Sequence, residues 1–257
     1  MSDWKHVETS QRTGALFLRL NRPPLNIFNM EMMGEINQAL DDAVTRPEIR
    51  FIVFAGSGPK AFSAGADAKD HTPDRVAEML DRFHRIFRTL YASDKISVAR
   101  VHGHCLGGGC ELATFCDFVI AAEDARFGQP EIKLGCFPPV AAVIFPALIG
   151  QRRAMELRLS GRTITAQEAH LMGLVNRVVP ASELDAAVDE CIAQLSQLSA
   201  PVLALAKKAI FAATGLDFNR ALSEVEEIYL KSLMKTADAQ EGIRAFLEKR
   251  PPVWQGR

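Results

Sequence analysis

The chain has 257 residues, 48% of them hydrophobic and 24% charged, enough for one large domain or one domain with an appendage. Its 30 Lys+Arg balance 31 Asp+Glu, so it lacks the overall basic bias of many nucleic-acid binders, and no nucleic-acid partner is expected. The first five residues hold no apolar signal core and no run reaches the roughly eighteen apolar residues of a membrane span; residues 140–149 are too few and Pro146 interrupts them, so a cytoplasmic protein without a membrane partner is expected.

Residues 15–20 read as a strand, closed by Asn21-Arg22-Pro23-Pro24. Residues 30–44 have helical periodicity, with Met33, Ile36, Leu40 and Val44 on one stripe. Residues 51–55 read as a buried strand ending at Gly56-Ser57-Gly58-Pro59. A second amphipathic helix covers 74–91, with Val76, Leu80, Phe83, Phe87 and Leu90 near one stripe. Strands follow at 97–101 and 118–122, with a helix starting at 111–115 between them. This alternation predicts α/β layering over the first 150 residues. The character then changes. Helices are predicted at 151–160, 166–171, 183–198, 201–213, 218–234 and 237–249, with one short strand at 175–179. The helical last third reads as a separate layer whose apolar residues suit subunit contacts.

Two glutamates about twenty positions apart stand in distinctive settings. Glu111 follows Gly107-Gly108-Gly109-Cys110 at a helix start, and Glu131 lies in Phe127-Gly128-Gln129-Pro130-Glu131-Ile132, a rigid turn after a short strand. Two carboxylates beside a glycine-rich helix N-terminus suit the addition of water across a double bond next to a carbonyl. One carboxylate activates water, the other holds or delivers a proton, and free N–H groups stabilise the oxygen anion that forms between the steps. Taken singly, Glu111 is also explained as a first-turn acid and Glu131 as a surface turn residue. The glycine run does not fit a dinucleotide loop, because position 112 is leucine. A third segment, Ala61-Phe62-Ser63-Ala64-Gly65-Ala66-Asp67-Ala68-Lys69, places small residues after a buried strand, where a ligand can lie against backbone. An N–H near Ala66 can pair with one near Gly108 as a two-donor site. His71, His102 and His104 have only surface-like acids nearby, and the odd set of five cysteines contains no CxxC pair, so neither a metal site nor a disulfide framework is expected.

Together these segments resemble the crotonase, or enoyl-CoA hydratase/isomerase, family, over nearly the whole chain from Asn21-Arg22-Pro23 to Phe246-Leu247-Glu248-Lys249-Arg250. The resemblance implies an α/β fold of ββα units wound into a spiral over residues 1–190, carrying the CoA and catalytic site. It implies a helical oligomerisation region over 191–257 that forms a trimer, or a hexamer as a dimer of trimers. It implies Glu111 and Glu131 as catalytic acids, Ala66 and Gly108 as oxyanion-hole donors, and Ala64, Asp67, Ala68, Lys69 and Lys249 as CoA contacts. The substrate would be an acyl-CoA thioester, with CoA part of the substrate and no cofactor, since hydration transfers no electrons.

One segment departs from the common pattern. Ordinary hydratases carry a glycine-rich stretch after the second glutamate, where this chain has Leu134-Gly135-Cys136-Phe137-Pro138-Pro139-Val140-Ala141-Ala142-Val143. Phe137, Val140 and Val143 are expected to line the acyl end. This segment and the ends of the last two helices are similar to those of hydratases acting on cyclic dienoyl-CoA thioesters of anaerobic aromatic breakdown. The rivals are an ordinary 2-enoyl-CoA hydratase, an isomerase, which commonly needs only one of the two acids, and a non-catalytic scaffold, against which the retained glutamates count.

Overall fold

The computed structural model describes residues 4–216 and 218–257. Among the described residues ten strands are formed: β1 (Val7–Arg12), β2 (Ala15–Leu20), β3 (Phe51–Gly56), β4 (Ala61–Ser63), β5 (Ile96–Val101), β6 (His104–Leu106), β7 (Phe118–Ala122), β8 (Arg126–Gly128), β9 (Thr163–Thr165) and β10 (Arg177–Val179). Six of them make one sheet in the order β1-β2-β3-β5-β7-β10, parallel except for the β1-β2 hairpin. The other four make a second sheet, β4-β6-β8-β9, in which only β9 runs antiparallel. The chain steps from the first sheet to the second and back through a helix: β3-β4-α2 (Val76–Ala92), β5-β6-α3 (Gly108–Phe115), then β7-β8. This is the spiral of ββα units that the family resemblance implies.

Local chemistry explains each element. Strand β3 is buried along its whole length, as a central parallel strand must be, and reads as an unbroken apolar run. Helix α1 (Met30–Thr45) is capped by Asn29, whose side chain accepts the Met32 N–H, and buries Met33, Ile36 and Leu40. Strand β1 escapes a periodicity reading because five of its six residues are exposed. It is held by a two-residue turn with Thr13 and Gly14 both at positive φ, the twist a tight hairpin needs. The strands of the second sheet have three residues each, too few to show a period.

A row of aromatic rings crosses the core beneath α3. Phe28 meets Phe83 at 5.4 Å, Phe83 meets Phe87 edge-on at 5.0 Å, and Phe87 meets Phe115 edge-on at 5.1 Å. The Phe83 ring abuts Gly108, where a methyl would lie 2.9 Å from it, so α2 packs directly on the first turn of α3.

The chain divides between Asp189 and Glu190 into two compact units. The first also holds α4 (Pro139–Ile149), α5 (Gln151–Ser160) and α6 (Ala166–Met172), and α7 (Leu184–Ser196) runs across the division. The second contains α8 (Ala200–Ala213), α9 (Phe218–Lys231) and α10 (Ala237–Leu247). There Asp238 is buried and accepts Ser199 Oγ at 2.6 Å and the N–H groups of Gln255 and Gly256, while Glu241 accepts Arg244, Arg250 and the Val253 N–H, so two acids tie the C-terminal tail to α10. The predicted helix 218–234 stops at Lys231 and continues as a separate turn, Leu233–Lys235. Among the described residues no helix is long and apolar enough to cross a membrane.

Candidate active site

Glu111 sits in the first turn of α3 and is 2% exposed. The turn forms because Gly107 takes φ 54° and ψ −130°, a conformation open to glycine, and because Gly109 presses on the backbone of Ser63, where a side chain would collide. Oε1 of Glu111 accepts the Ala141 N–H at 2.8 Å. That donor is available because it belongs to the first turn of α4, whose N–H groups have no helical acceptor. Pro138 and Pro139 bring no N–H of their own, which leaves Val140 and Ala141 as the first donors of the helix end. Burial raises the Glu111 carboxyl to about 7, the Ala141 N–H opposes that rise, and the charge of Glu131 adds to it.

Glu131 lies in the 3-10 turn Pro130–Leu134 after β8, closed by Gly135 in the left-handed region. Its Oε1 occupies the space beside Gly107: a methyl on Gly107 would come within 2.5 Å of it. Its Oε2 is buried and meets no hydrogen-bond donor among the described residues. Burial raises this carboxyl too, while the charges of His71 and Arg158 pull it down. Gln129, one residue before the turn, is fully buried and neither end of its amide has a partner among the described residues. Two desolvated carboxylates thus flank the start of one helix, close enough that the charge of one perturbs the other.

Ala66 and Gly108 come together through Gly65. Phe28 N–H donates to Gly65 O and Asp67 N–H to Phe28 O, both at 2.8 Å, in a parallel bridge that turns the N–H of Ala66 away from Phe28. A side chain on Gly65, at φ 101°, would reach Leu106 O at 3.2 Å and Gly108 N at 3.4 Å, so this backbone lies against the start of α3. Gly108 is the first helical residue, and its N–H has no acceptor within the helix. Two backbone donors with no helical or bridge acceptor are therefore neighbours beside Glu111 and Glu131.

The remaining predicted residues fall in several places. Ala64 is half-buried and donates its N–H to Leu25 O. Asp67 caps the turn Ala68–His71 by accepting the Lys69 N–H and also pairs with Arg22 at 3.1 Å; Ala68 and Lys69 are exposed. Val140 packs on the core at the first turn of α4, whereas Phe137 and Val143 are 64% and 77% exposed. Lys249 lies in the second unit, at φ 54°.

Three contributors escape the sequence reading. They are the Ala141 N–H, and the neighbours His71 and Arg158. The first had a readable signal, Pro138-Pro139 ahead of an apolar run, which marks a helix start. The other two are brought close only by tertiary packing.

Residues 10–257 match the enoyl-CoA hydratase/isomerase family. Over 252 residues the chain is 40% identical to a cyclohexa-1,5-dienecarbonyl-CoA hydratase from Thauera aromatica, covering 96% of this chain and 95% of that one. It is 41% identical over 257 residues to a probable enoyl-CoA hydratase from Mycobacterium tuberculosis, covering 98% and 97%. A crystal structure of an enoyl-CoA hydratase from Bacillus anthracis superposes with a TM-score of 0.92 at 31% identity, covering 98% of this chain and all of that one. The chain belongs to the enoyl-CoA hydratase/isomerase family, and it is an enzyme of the hydro-lyase class within it. Its substrate class is that of the family, an acyl-CoA thioester.

Proposed function

We propose that the chain hydrates cyclohexa-1,5-diene-1-carbonyl-CoA to 6-hydroxycyclohex-1-ene-1-carbonyl-CoA, a step of the benzoyl-CoA pathway of aromatic degradation, without a cofactor. The observation that carries the chemistry is the pair of Glu111, buried, and Glu131, half-buried with an unpartnered carboxylate oxygen, beside two free backbone donors. What favours the cyclic diene is the likeness to the Thauera aromatica enzyme together with the apolar stretch at 137–143, where glycines would leave a flexible wall.

In this reading the thioester oxygen accepts the N–H groups of Ala66 and Gly108. Glu111 and Glu131 hold a water at the β-carbon. The water oxygen bonds to that carbon, its proton passes to a carboxylate, and the electron pair of the double bond moves into a dienolate spread over the thioester oxygen and the ring. A proton returned to the far end of the dienolate completes a 1,4-addition and leaves the ring with one double bond conjugated to the carbonyl. We assign water activation mainly to Glu111 and proton delivery mainly to Glu131. Phe137, Val140 and Val143 form the acyl wall, and the chain works as a trimer or a hexamer.

The second reading, an ordinary 2-enoyl-CoA hydratase, draws on the equal likeness to the mycobacterial protein. A hydration assay with cyclic dienoyl-CoA and linear enoyl-CoA esters decides between the two on kcat/KM. The cyclic diene is expected to be preferred by at least tenfold; a preference for crotonyl-CoA would transfer the conclusion to the second reading.

Lys249 provides a separate check on CoA binding. Helix α10 ends with Arg250 N–H on Ala245 O and Lys249 N–H on Phe246 O, the pairing in which the left-handed position belongs by preference to glycine. A lysine there gives up about 1 kcal/mol of stability. We read that cost as the trace of a side chain selected for phosphate contact. Lys249→Gly is expected to stabilise the fold by about 1 kcal/mol while raising KM for the CoA ester several-fold at unchanged kcat. An unchanged KM would remove Lys249 from CoA binding.

A further inference from the structure

The backbone that presents the Ala66 N–H is held by very little of the sheet. Its pairing with Phe28 is an isolated parallel bridge, outside every strand. Phe28 N–H on Gly65 O and Asp67 N–H on Phe28 O close that bridge, and Ala64 N–H on Leu25 O adds one bond before it. A two-stranded pairing outside a sheet is weakly held. A donor that must meet a developing oxyanion needs firmer support than that.

Arg22 supplies a second link across the same bridge. Its Nη1 donates to Ile27 O at 3.0 Å and its Nη2 to Asp67 Oδ2 at 3.1 Å. Ile27 precedes Phe28 and Asp67 follows Ala66, so one guanidinium grips both sides of the pairing. Both ends of this link are themselves fixed. The Arg22 N–H donates to Asn26 Oδ1 and the Arg22 carbonyl accepts the Asn26 N–H, while Asn26, fully buried, donates its Nδ2 to Ser57 O and Ala61 O. The Asp67 carboxylate also accepts the Lys69 N–H at 3.2 Å. On the far side, the Phe28 ring meets Phe83, and Phe83 abuts Gly108, the residue of the second donor.

Stability alone gives little reason for an arginine here. The side chains of Arg22 and Asp67 are 32% and 21% exposed, and an ion pair open to water contributes little. What arginine offers and lysine does not is a planar fork of donors at fixed spacing, able to hold two separate acceptors at once.

We propose that Arg22 is a positioning residue for the oxyanion site: its guanidinium staples Ile27 to Asp67 across the Phe28–Ala66 bridge and so holds the Ala66 N–H at the separation from the Gly108 N–H that one thioester oxygen requires. The proposal rests on reading Ala66 and Gly108 as the oxyanion donors. It gives the Asp67 side chain a structural task beside the CoA contact expected of it.

The test uses Arg22→Met, Arg22→Lys and Asp67→Ala in the full-length enzyme. Two readouts are needed. One is turnover of an enoyl-CoA ester that the parent hydrates. The other is the infrared stretch of the thioester carbonyl in bound butyryl-CoA, isotope-labelled at that carbon, which has no double bond to hydrate. Two donors on the oxygen should lower that stretch when the ester binds to the parent. Arg22→Met is expected to lose about half of the lowering and about tenfold in kcat, less than the loss of a whole oxyanion donor, with KM within about twofold. Arg22→Lys keeps the charge but cannot span both acceptors, so it should resemble Arg22→Met. Asp67→Ala removes one anchor and should shift the band in the same direction. Adding it to Arg22→Met should cost little more in kcat, because both changes cut the same link. A lower melting temperature with the band and kcat unchanged in the folded Arg22 variants would overturn the proposal. So would parental behaviour of Arg22→Lys, since charge without the span would then suffice. Should neither Arg22 variant fold, an unchanged band in Asp67→Ala would overturn it. If the parent itself shows no lowering on binding butyryl-CoA, the oxyanion reading of Ala66 and Gly108 fails, rather than the role of Arg22 alone.

Discussion

Glu111→Gln is expected to cut turnover by about a hundredfold or more, the scale of a general acid–base group, and at the same time to stabilise the fold at alkaline pH. The second half follows from burial. In the folded chain the Glu111 carboxyl holds its proton up to about pH 7, against an ordinary value of 4.5. The folded state therefore binds this proton more tightly than the unfolded state does, and stability falls as pH rises between those values. At about 1.4 kcal/mol per unit, a difference of this size is worth about 3 kcal/mol at pH 8. Glutamine stays neutral and its Oε1 still accepts the Ala141 N–H, so the variant escapes the cost. Denaturation curves should show it more stable than the parent at pH 8, and the advantage should vanish below about pH 4.5. Glu131→Gln should lose turnover to a similar degree, with the same sign of stability change, since burial raises that carboxyl as well. CoA affinity should hardly change in either variant. Near-normal turnover in one would remove that glutamate from the mechanism. Equal stability of Glu111→Gln and parent at pH 8 would show that the carboxylate is better solvated than its 2% exposure implies.

The trade between stability and chemistry explains which parts of this protein can be read from its sequence. Periodicity and unbroken apolar runs reveal elements that bury one face or both, and so the helix stripe of Met33, Ile36 and Leu40 and the strands read at 15–20, 51–55 and 118–122 were legible. It fails where packing alone decides. Strands β4, β6, β8 and β9 owe their existence to pairing with one another. Helix α4 was obscured because Pro146 stands inside it, a residue that normally ends a helix, and here only the bond to Ala142 O is forgone. At the site, the glycines and the two glutamates were visible because each breaks a local rule: glycine where a helix begins, acid where the surroundings are apolar. What surrounds them was not visible. The Ala141 N–H on Glu111 and the charge of Arg158 join residues about thirty positions apart, and no local pattern encodes such a meeting.

Gly107→Ala is the change that should separate geometry from composition in this site. Gly107 combines a backbone conformation that side chains rarely adopt with a carboxylate oxygen where its Cβ would stand. The backbone term costs about 1–3 kcal/mol. The steric term has a more specific consequence: the Glu131 carboxylate must retreat by about one ångström to reach ordinary contact, and a shift of that size in a reacting group costs on the order of a hundredfold in rate. Gly150→Ala supplies the control. It also has a positive φ, 78°, yet a methyl there meets nothing within 4 Å. The control is expected to lose stability without losing rate, whereas Gly107→Ala should lose about a hundredfold in kcat/KM in protein that remains folded by circular dichroism. Adding Glu131→Gln to Gly107→Ala should then cost little more, because both changes disable the same group. A folded Gly107→Ala enzyme with normal kcat/KM would mean that Glu131 acts from a position other than the one it takes over Gly107, and the assignment of the two carboxylates to one water would fall with it.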